Sequence, residues 1–141
     1  MRRRKLLIAD DSEMNRAILA NVLDQEFEVI EATNGQEVII ALQSYGTQIS
    51  ALLLDIVMPE MDGFEVLEEM NRRHWIEDIP TIMISAETSN TYIDRAFELG
   101  ASDYISRPFV PGIVRRRIIN TILFSIDEAE LRASMERLKT E

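Results

Sequence analysis

Three carboxylates raise the question of chemistry. Asp10 and Asp11 are adjacent, and Asp55 ends the apolar run Ala51-Leu52-Leu53-Leu54. An acid at the end of such a run is costly to bury without a partner. Three acids a few ångströms apart repel and raise one another's pKa. A hard divalent cation resolves that conflict, and Mg2+ takes oxygen ligands of this kind, with waters and a phosphate completing its shell. A carboxylate can also accept a phosphoryl group as a nucleophile. Taken singly, each acid has an ordinary alternative: Asp10-Asp11 as helix caps, Asp55 as a loop acid. The metal reading depends on their meeting at one place.

The patterning of the chain supplies that meeting. A short apolar run at residues 5–9 reads as a first strand, closed by Asp10-Asp11-Ser12. Met14, Ile18, Leu19, Val22 and Leu23 then fall on one helical stripe, with Ser12 as its N-cap. Residues 27–32 read as a strand, Thr33-Asn34-Gly35 as a turn, 36–44 as a helix and 45–50 as a polar loop. The third strand is 51–55, and a loop with Pro59 and Gly63 leads to a helix over 64–73 that buries Phe64, Leu67 and Met70. After a connector at 74–79, Pro80 opens a strand at 81–84, where it costs no ladder bond. A helix over about 91–99 turns Ile93, Ala96 and Phe97 inward and ends on Gly100. The fifth strand, 103–106, is broken by Arg107-Pro108, and a last helix begins near Pro111.

Five strands alternating with five helices predict a doubly wound, flavodoxin-like α/β fold, a parallel sheet with helices on both faces. In the strand order 2-1-3-4-5 the first and third strands are neighbours. Asp10, Asp11 and Asp55 then converge at the rim where such sheets bind ligands. The fourth and fifth strands end at Ser85 and near Arg107, bringing a hydroxyl and a guanidinium to the same rim. Beside a metal, those groups suit a tetrahedral oxyanion.

Composition narrows the remaining classes. A chain of 141 residues suits one domain with a proper core. It has no cysteine, so disulfides, thiolate metal sites and redox motifs are excluded. No apolar run is long enough to span a membrane. The run after the basic residues 2–5 is too short for a signal-peptide core. These features read as a soluble, cytoplasmic protein. The net charge of −10 argues against direct contact with nucleic acid, and the basic runs at 2–5 and 115–117 read as solvated surface. The single histidine, His74, sits in a polar connector and offers no base, and no Gly-rich phosphate loop marks a nucleotide site.

The last helix continues from about residue 113 to the end of the sequence, longer than such a domain is thick. Val114, Ile118, Ile119, Ile122, Leu123 and Ile126 make its first half apolar, whereas 127–141 is charged. Phe124, Leu131 and Leu138 are spaced seven apart, with Met135 between the last two. Residues 1–124 therefore read as the domain and 125–141 as a helical extension or linker. That extension is either a frayed, solvated tail or a helix that pairs with a copy of itself or leads to a further domain.

These residues resemble the receiver domain of bacterial response regulators. The match is carried by Ile8-Ala9-Asp10-Asp11-Ser12, by Ala32-Thr33-Asn34-Gly35, by Leu54-Asp55-Ile56-Val57-Met58-Pro59 with Asp62-Gly63, by Ser85-Ala86, and by Asp103-Tyr104-Ile105 before Pro108-Phe109. It covers about residues 5–124. The resemblance implies that Asp55 is the phosphoacceptor, charged by a sensor histidine kinase or phosphotransfer protein. It implies that Asp10, Asp11, Asp55 and the backbone carbonyl of Val57 hold Mg2+, and that Ser85 hydrogen-bonds the phosphoryl group. Tyr104 is implied as a switch that swings inward when Ser85 moves, altering the face of the fourth helix, fifth strand and fifth helix. The resemblance also implies a cis bond between Arg107 and Pro108. If the helical extension is a linker, the domain is expected to self-associate through that same face. Such a protein is not an enzyme in the usual sense, although it catalyses its own phosphorylation and dephosphorylation. The long last helix is similar to linkers joining receivers to output domains that make or degrade cyclic dinucleotides.

One position departs from the family: Arg107 stands where it has lysine. Arginine is a planar fork of five donors, lysine a compact point charge. The fork is expected to make two parallel bonds to Asp55, holding the resting site more firmly and filling space that a phosphoryl group needs. The alternative function is therefore a receiver-like interaction module that responds weakly to phosphorylation. A metal phosphatase is the weaker rival, because its second acid would stand where this chain has Val57.

Overall fold

The computed structural model describes residues 3–140. Five strands, β1 (Arg4–Ala9), β2 (Phe27–Ala32), β3 (Ile49–Leu54), β4 (Thr81–Ser85) and β5 (Asp103–Ser106), form one sheet in the order β2-β1-β3-β4-β5. Every pairing is parallel. Five helices connect or follow them: α1 (Glu13–Leu23), α2 (Gly35–Tyr45), α3 (Gly63–Arg72), α4 (Asn90–Glu98) and α5 (Pro111–Thr140). The doubly wound architecture and its strand order are those expected from the sequence.

The central strands are apolar along their length because both faces are covered. Leu7, Leu52, Leu54 and Met83 point into a core with Val38 and Leu42 of α2, Leu67 and Met70 of α3, and Ala96 of α4. Their neighbours Leu6, Ile8, Leu53, Ile82 and Ile84 point the other way, against Leu19 and Leu23 of α1 and Val114, Ile118 and Ile122 of α5. Each strand thus feeds two cores through its twofold alternation.

The differences from expectation are local. β3 starts two residues earlier than predicted, after a short 3-10 turn over Gly46–Gln48 in the supposed loop, and stops at Leu54, leaving Asp55 just beyond the strand. Of the stripe predicted for α1, Leu19 and Leu23 are buried while Met14 and Ile18 are exposed. An edge helix covers only the strands beneath it, so its outer apolar residues have nothing to meet. Phe97, expected to point inward, is exposed, and Ala96 takes the buried position. Leu99 caps α4, and Gly100 follows in the left-handed region at φ 101°, a conformation glycine adopts freely.

Of the basic runs, residue 2 lies outside the described residues, whereas Arg115 and Arg117 pair at the surface with Glu26 and Asp103. Among the described residues no helix is long and apolar enough to cross a membrane. α5 has 30 residues, a length of about 45 Å. Its core contacts end near Ile122 and Ile126. Beyond them Phe124, Leu131, Met135 and Leu138 are all exposed, yet the helix is continuous across residue 124.

Candidate functional site

The acids are set at the rim by backbone ladders that run one step past the strands. The Asp10 amide donates to the Ala32 carbonyl at 3.1 Å, and the Asp55 amide donates to the Ala9 carbonyl at 3.0 Å. Ser12 caps α1, and its own amide donates to Asp10 Oδ1 at 2.8 Å, so the cap turns the chain beside the acid pair. Arg16, one turn into α1, donates to the Asp10 carbonyl at 2.6 Å and to Glu31 Oε1 at 3.0 Å. Asp10 is 1% exposed and Asp55 7%, while Asp11 is open to solvent. One carboxylate oxygen from each of Asp10, Asp11 and Asp55 lies within 4.8 Å of the others. The hard oxygen donors that Mg2+ prefers are thus gathered, and the residues present fit that ion.

The loop after Asp55 is held by close backbone approach. The Gly63 amide donates to the Ile56 carbonyl at 2.8 Å, and a Cβ at Gly63 would lie 2.5 Å from the Asp55 carbonyl oxygen. Asp62 caps α3 through a capping box with Glu65, fixing where that helix starts. The Val57 amide donates to Asp55 Oδ1 at 3.3 Å.

Ser85 is fully buried at the end of β4, where its hydroxyl accepts from the Glu87 amide at 3.1 Å. Its carbonyl accepts from the Arg107 amide at 2.9 Å, tying the ends of β4 and β5. The Arg107–Pro108 bond is cis. Tyr104 is buried, and its phenol donates to the Glu87 carbonyl at 2.6 Å. Burial pushes that phenol's pKa up, against the opposing effect of the neighbouring Ser85 hydroxyl.

Arg107 does not make the double bond to Asp55 that the sequence suggested. Its Nη2 donates to Asp10 Oδ2, with Asp55 Oδ2 at 3.5 Å. The reason lies in burial and in free oxygens. Each acid has its Oδ1 taken by a backbone amide, and Asp10 is the more deeply buried of the two, so its Oδ2 gains most from a counter-charge. Burial, opposed by Arg107, raises the Asp55 pKa to about 6. The charges of Asp10 and Asp11 push in the same direction, while the Val57 amide pulls it back.

Asp10, Asp11, Asp55 and Arg107 therefore meet at the C-terminal rim of the sheet, while Ser85 ends β4 and Tyr104 is tied with it to Glu87. Two supporting residues escaped the sequence reading. Arg16 was signalled only as a cation one turn after an acid pair, and Glu87 acts through its backbone, which leaves no side-chain signal.

A family model of the response regulator receiver domain matches residues 6–119, and the chain belongs to that family. It is 40% identical over 114 residues to response regulator RR06 of Streptococcus pneumoniae, covering 80% of this chain and 50% of that protein. The chain thus spans about half the length of this curated relative. Its fold is similar to that of a CheY-like receiver domain protein from Methanospirillum hungatei, with a TM-score of 0.82, 23% identity and coverage of 90% of this chain and 99% of the other. A putative two-component system response regulator/GGDEF domain protein is also similar, with a TM-score of 0.79 and 26% identity over 86% of this chain and 49% of the other. The protein is a receiver domain of a two-component response regulator, a signalling module rather than a classical enzyme.

Proposed function

We propose that this receiver domain accepts a phosphoryl group on Asp55 in a Mg2+-dependent reaction. The observation that carries the proposal is the meeting of Asp10, Asp11 and Asp55 within 4.8 Å at the sheet rim, with Arg107 on Asp10 and 3.5 Å from Asp55, and buried Ser85 ending the neighbouring strand β4. Asp10, Asp11, Asp55 and the Val57 carbonyl would hold Mg2+, which when bound neutralises charge on phosphoryl oxygens. An Asp55 carboxylate oxygen attacks phosphorus, forming the new O–P bond. The bond from phosphorus to the donor breaks, and the donor keeps that electron pair. With a phosphohistidine donor, the departing imidazole nitrogen retains the pair. The Ser85 hydroxyl and the Arg107 guanidinium supply hydrogen bonds to the transferred group.

The donor is a sensor histidine kinase or a phosphotransfer protein in the cytoplasm, and small phosphodonors serve in its place through the domain's own catalysis. The signal leaves through Tyr104, which stands on β5 and donates to the Glu87 carbonyl in the loop before α4. The α4–β5–α5 face is the site of self-association. Residues 1–124 act as the receiver, and 125–141 act as a linker to an output domain. The similarity to a response regulator/GGDEF domain protein supports such an output domain.

The test is mass spectrometry after incubation with a small phosphodonor and Mg2+. Wild type gains one phosphoryl group and Asp55→Asn gains none. The second reading, a docking module that responds weakly, is favoured by the hold of Arg107 on Asp10. No uptake by wild type beside uptake by Arg107→Lys would select it.

A further inference from the structure

The guanidinium of Arg107 sits between two of the carboxylates proposed above to hold the metal. Its Nη2 bonds Asp10 Oδ2 and lies 3.5 Å from Asp55 Oδ2. The other Asp10 oxygen is engaged by the Ser12 amide at 2.8 Å, and Asp55 Oδ1 by the Val57 amide at 3.3 Å. Each buried acid therefore turns one oxygen to the backbone and the other to Arg107. The guanidinium is mostly enclosed, and its Nε is the one buried side-chain nitrogen or oxygen without a hydrogen-bond partner among the described residues. Burying a donor unpaired is costly, so the charge on Nη2 must offset it. Asp10 and Asp55 supply that charge.

We infer that Arg107 is the resident counter-ion of the metal-free site and that Mg2+ can occupy the Asp10–Asp55 oxygens only after Arg107 lets go of Asp10. This inference rests on the metal reading of the acid trio and adds a competition to it. Two cations held by the same oxygens repel in a site where water screens them little. A single nitrogen makes the Arg107 contact, so the swing that releases it breaks one charge-assisted bond rather than a fork of two. The ring of Phe109, 5.9 Å from Arg107 Cζ, offers a cation–π surface beside the path out.

A lysine at 107 would carry the same charge on a stem one bond shorter, and its compact ammonium cannot reproduce the guanidinium's position between the two acids. Changing arginine to lysine therefore separates competition for Asp10 from the general effect of positive charge near the site. The chain gains a device set by one residue: the resting site is self-neutralised, and Mg2+ affinity is reduced by the strength of one Arg–Asp bond.

The experiment titrates Mg2+ into the metal-free wild type and Arg107→Lys by calorimetry, and follows the Arg107 Nε–H signal of wild type by NMR. Lysine is expected to tighten Mg2+ binding by about tenfold, the worth of one hydrogen bond to a charged group. The wild-type Nε–H signal is expected to shift and broaden along the same titration. Equal Mg2+ affinity in the two proteins, or an Nε–H signal unmoved when wild type saturates, would overturn the inference and leave the metal site standing. No binding by either protein would overturn both. The NMR arm needs no variant, so a misfolded Arg107→Lys leaves the test decisive.

Discussion

The phenol of Tyr104 donates a 2.6 Å hydrogen bond to the carbonyl of Glu87, joining β5 to the loop between β4 and α4. That loop begins at Ser85, whose hydroxyl accepts from the Glu87 amide. One peptide neighbourhood thus receives the Tyr104 phenol on one side and the rim hydroxyl on the other. Tyr104→Phe removes the phenol's bond and leaves the half-buried Glu87 carbonyl without that donor. We expect a loss of about 1 kcal/mol of stability. Phosphoryl uptake at Asp55 should be unchanged, because the phenol does not reach the reacting atoms, while any response on the α4–β5–α5 face should weaken. Thermal melting and uptake kinetics, measured side by side, check both halves.

Asp55 makes stability depend on pH in a particular direction. Its folded pKa of about 6 lies above the ordinary 3.8, so between those values the native state binds more protons than the unfolded chain. In the metal-free protein this contribution to stability is absent at neutral pH. It grows as pH falls through about 6 and is complete below 3.8. Melting in chelator across that window should show the rise, and Asp55→Asn should flatten it.

Mg2+ should raise the melting temperature of wild type by binding the native state alone. Asp11 is the exposed member of the trio, so Asp11→Ala removes a ligand without opening a core cavity. It should abolish most of the Mg2+-induced rise and leave the metal-free melting temperature almost unchanged. An undiminished rise would remove Asp11 from the site.

Gly63 is held to glycine by space rather than by dihedral angle. A Cβ there would meet the Asp55 carbonyl oxygen at 2.5 Å and the Ile56 Cα at 2.8 Å. Both are backbone, so neither can swing aside. Gly63→Ala should destabilise the fold by ~2 kcal/mol, in the range of overpacked sites. It should also weaken the Mg2+ effect on melting, because the displaced segment carries Asp55. A variant that melts and binds like wild type would show the loop to be pliable.

The strand order and the meeting of the acids were legible because both follow from spacing. Apolar runs of strand length alternate with helical stripes, and each acid stands where a run stops. The partner of Arg107 was not legible. It depends on how deeply each acid is enclosed and on which oxygens the Ser12 and Val57 amides leave open, and neither leaves a mark on residue types. Phe97 shows another limit. Three apolar residues at helical spacing do not say which one the sheet has room for, and the smallest, Ala96, is the one enclosed. Met14 and Ile18 show the same for α1, where the stripe is wider than the surface it covers.

The exposed line of Phe124, Leu131 and Leu138 on α5 sets an expectation for solution behaviour. The domain should sediment as a reversible dimer, with Leu131→Glu shifting it to monomer, and phosphorylation should change the association constant. A monomer at every concentration, with or without phosphorylation, would assign the extension to solvated tail.

α5 is fastened to the sheet by Val114, Ile118 and Ile122 and runs on unbroken to Thr140. Rigid continuity makes it a crankshaft: a small rotation of its fastened end swings its free end through an arc in proportion to the projecting length. Phase matters as much as reach. Each residue inserted beyond Ile126 would turn everything after it by about 100° and advance it by about 1.5 Å. An insertion of four residues comes back to within about 40° of the original facing, whereas two turn it by about 200°, nearly a reversal. The bearing of the helix end is thus set by the sheet contacts of its first half, and its phase by helical pitch.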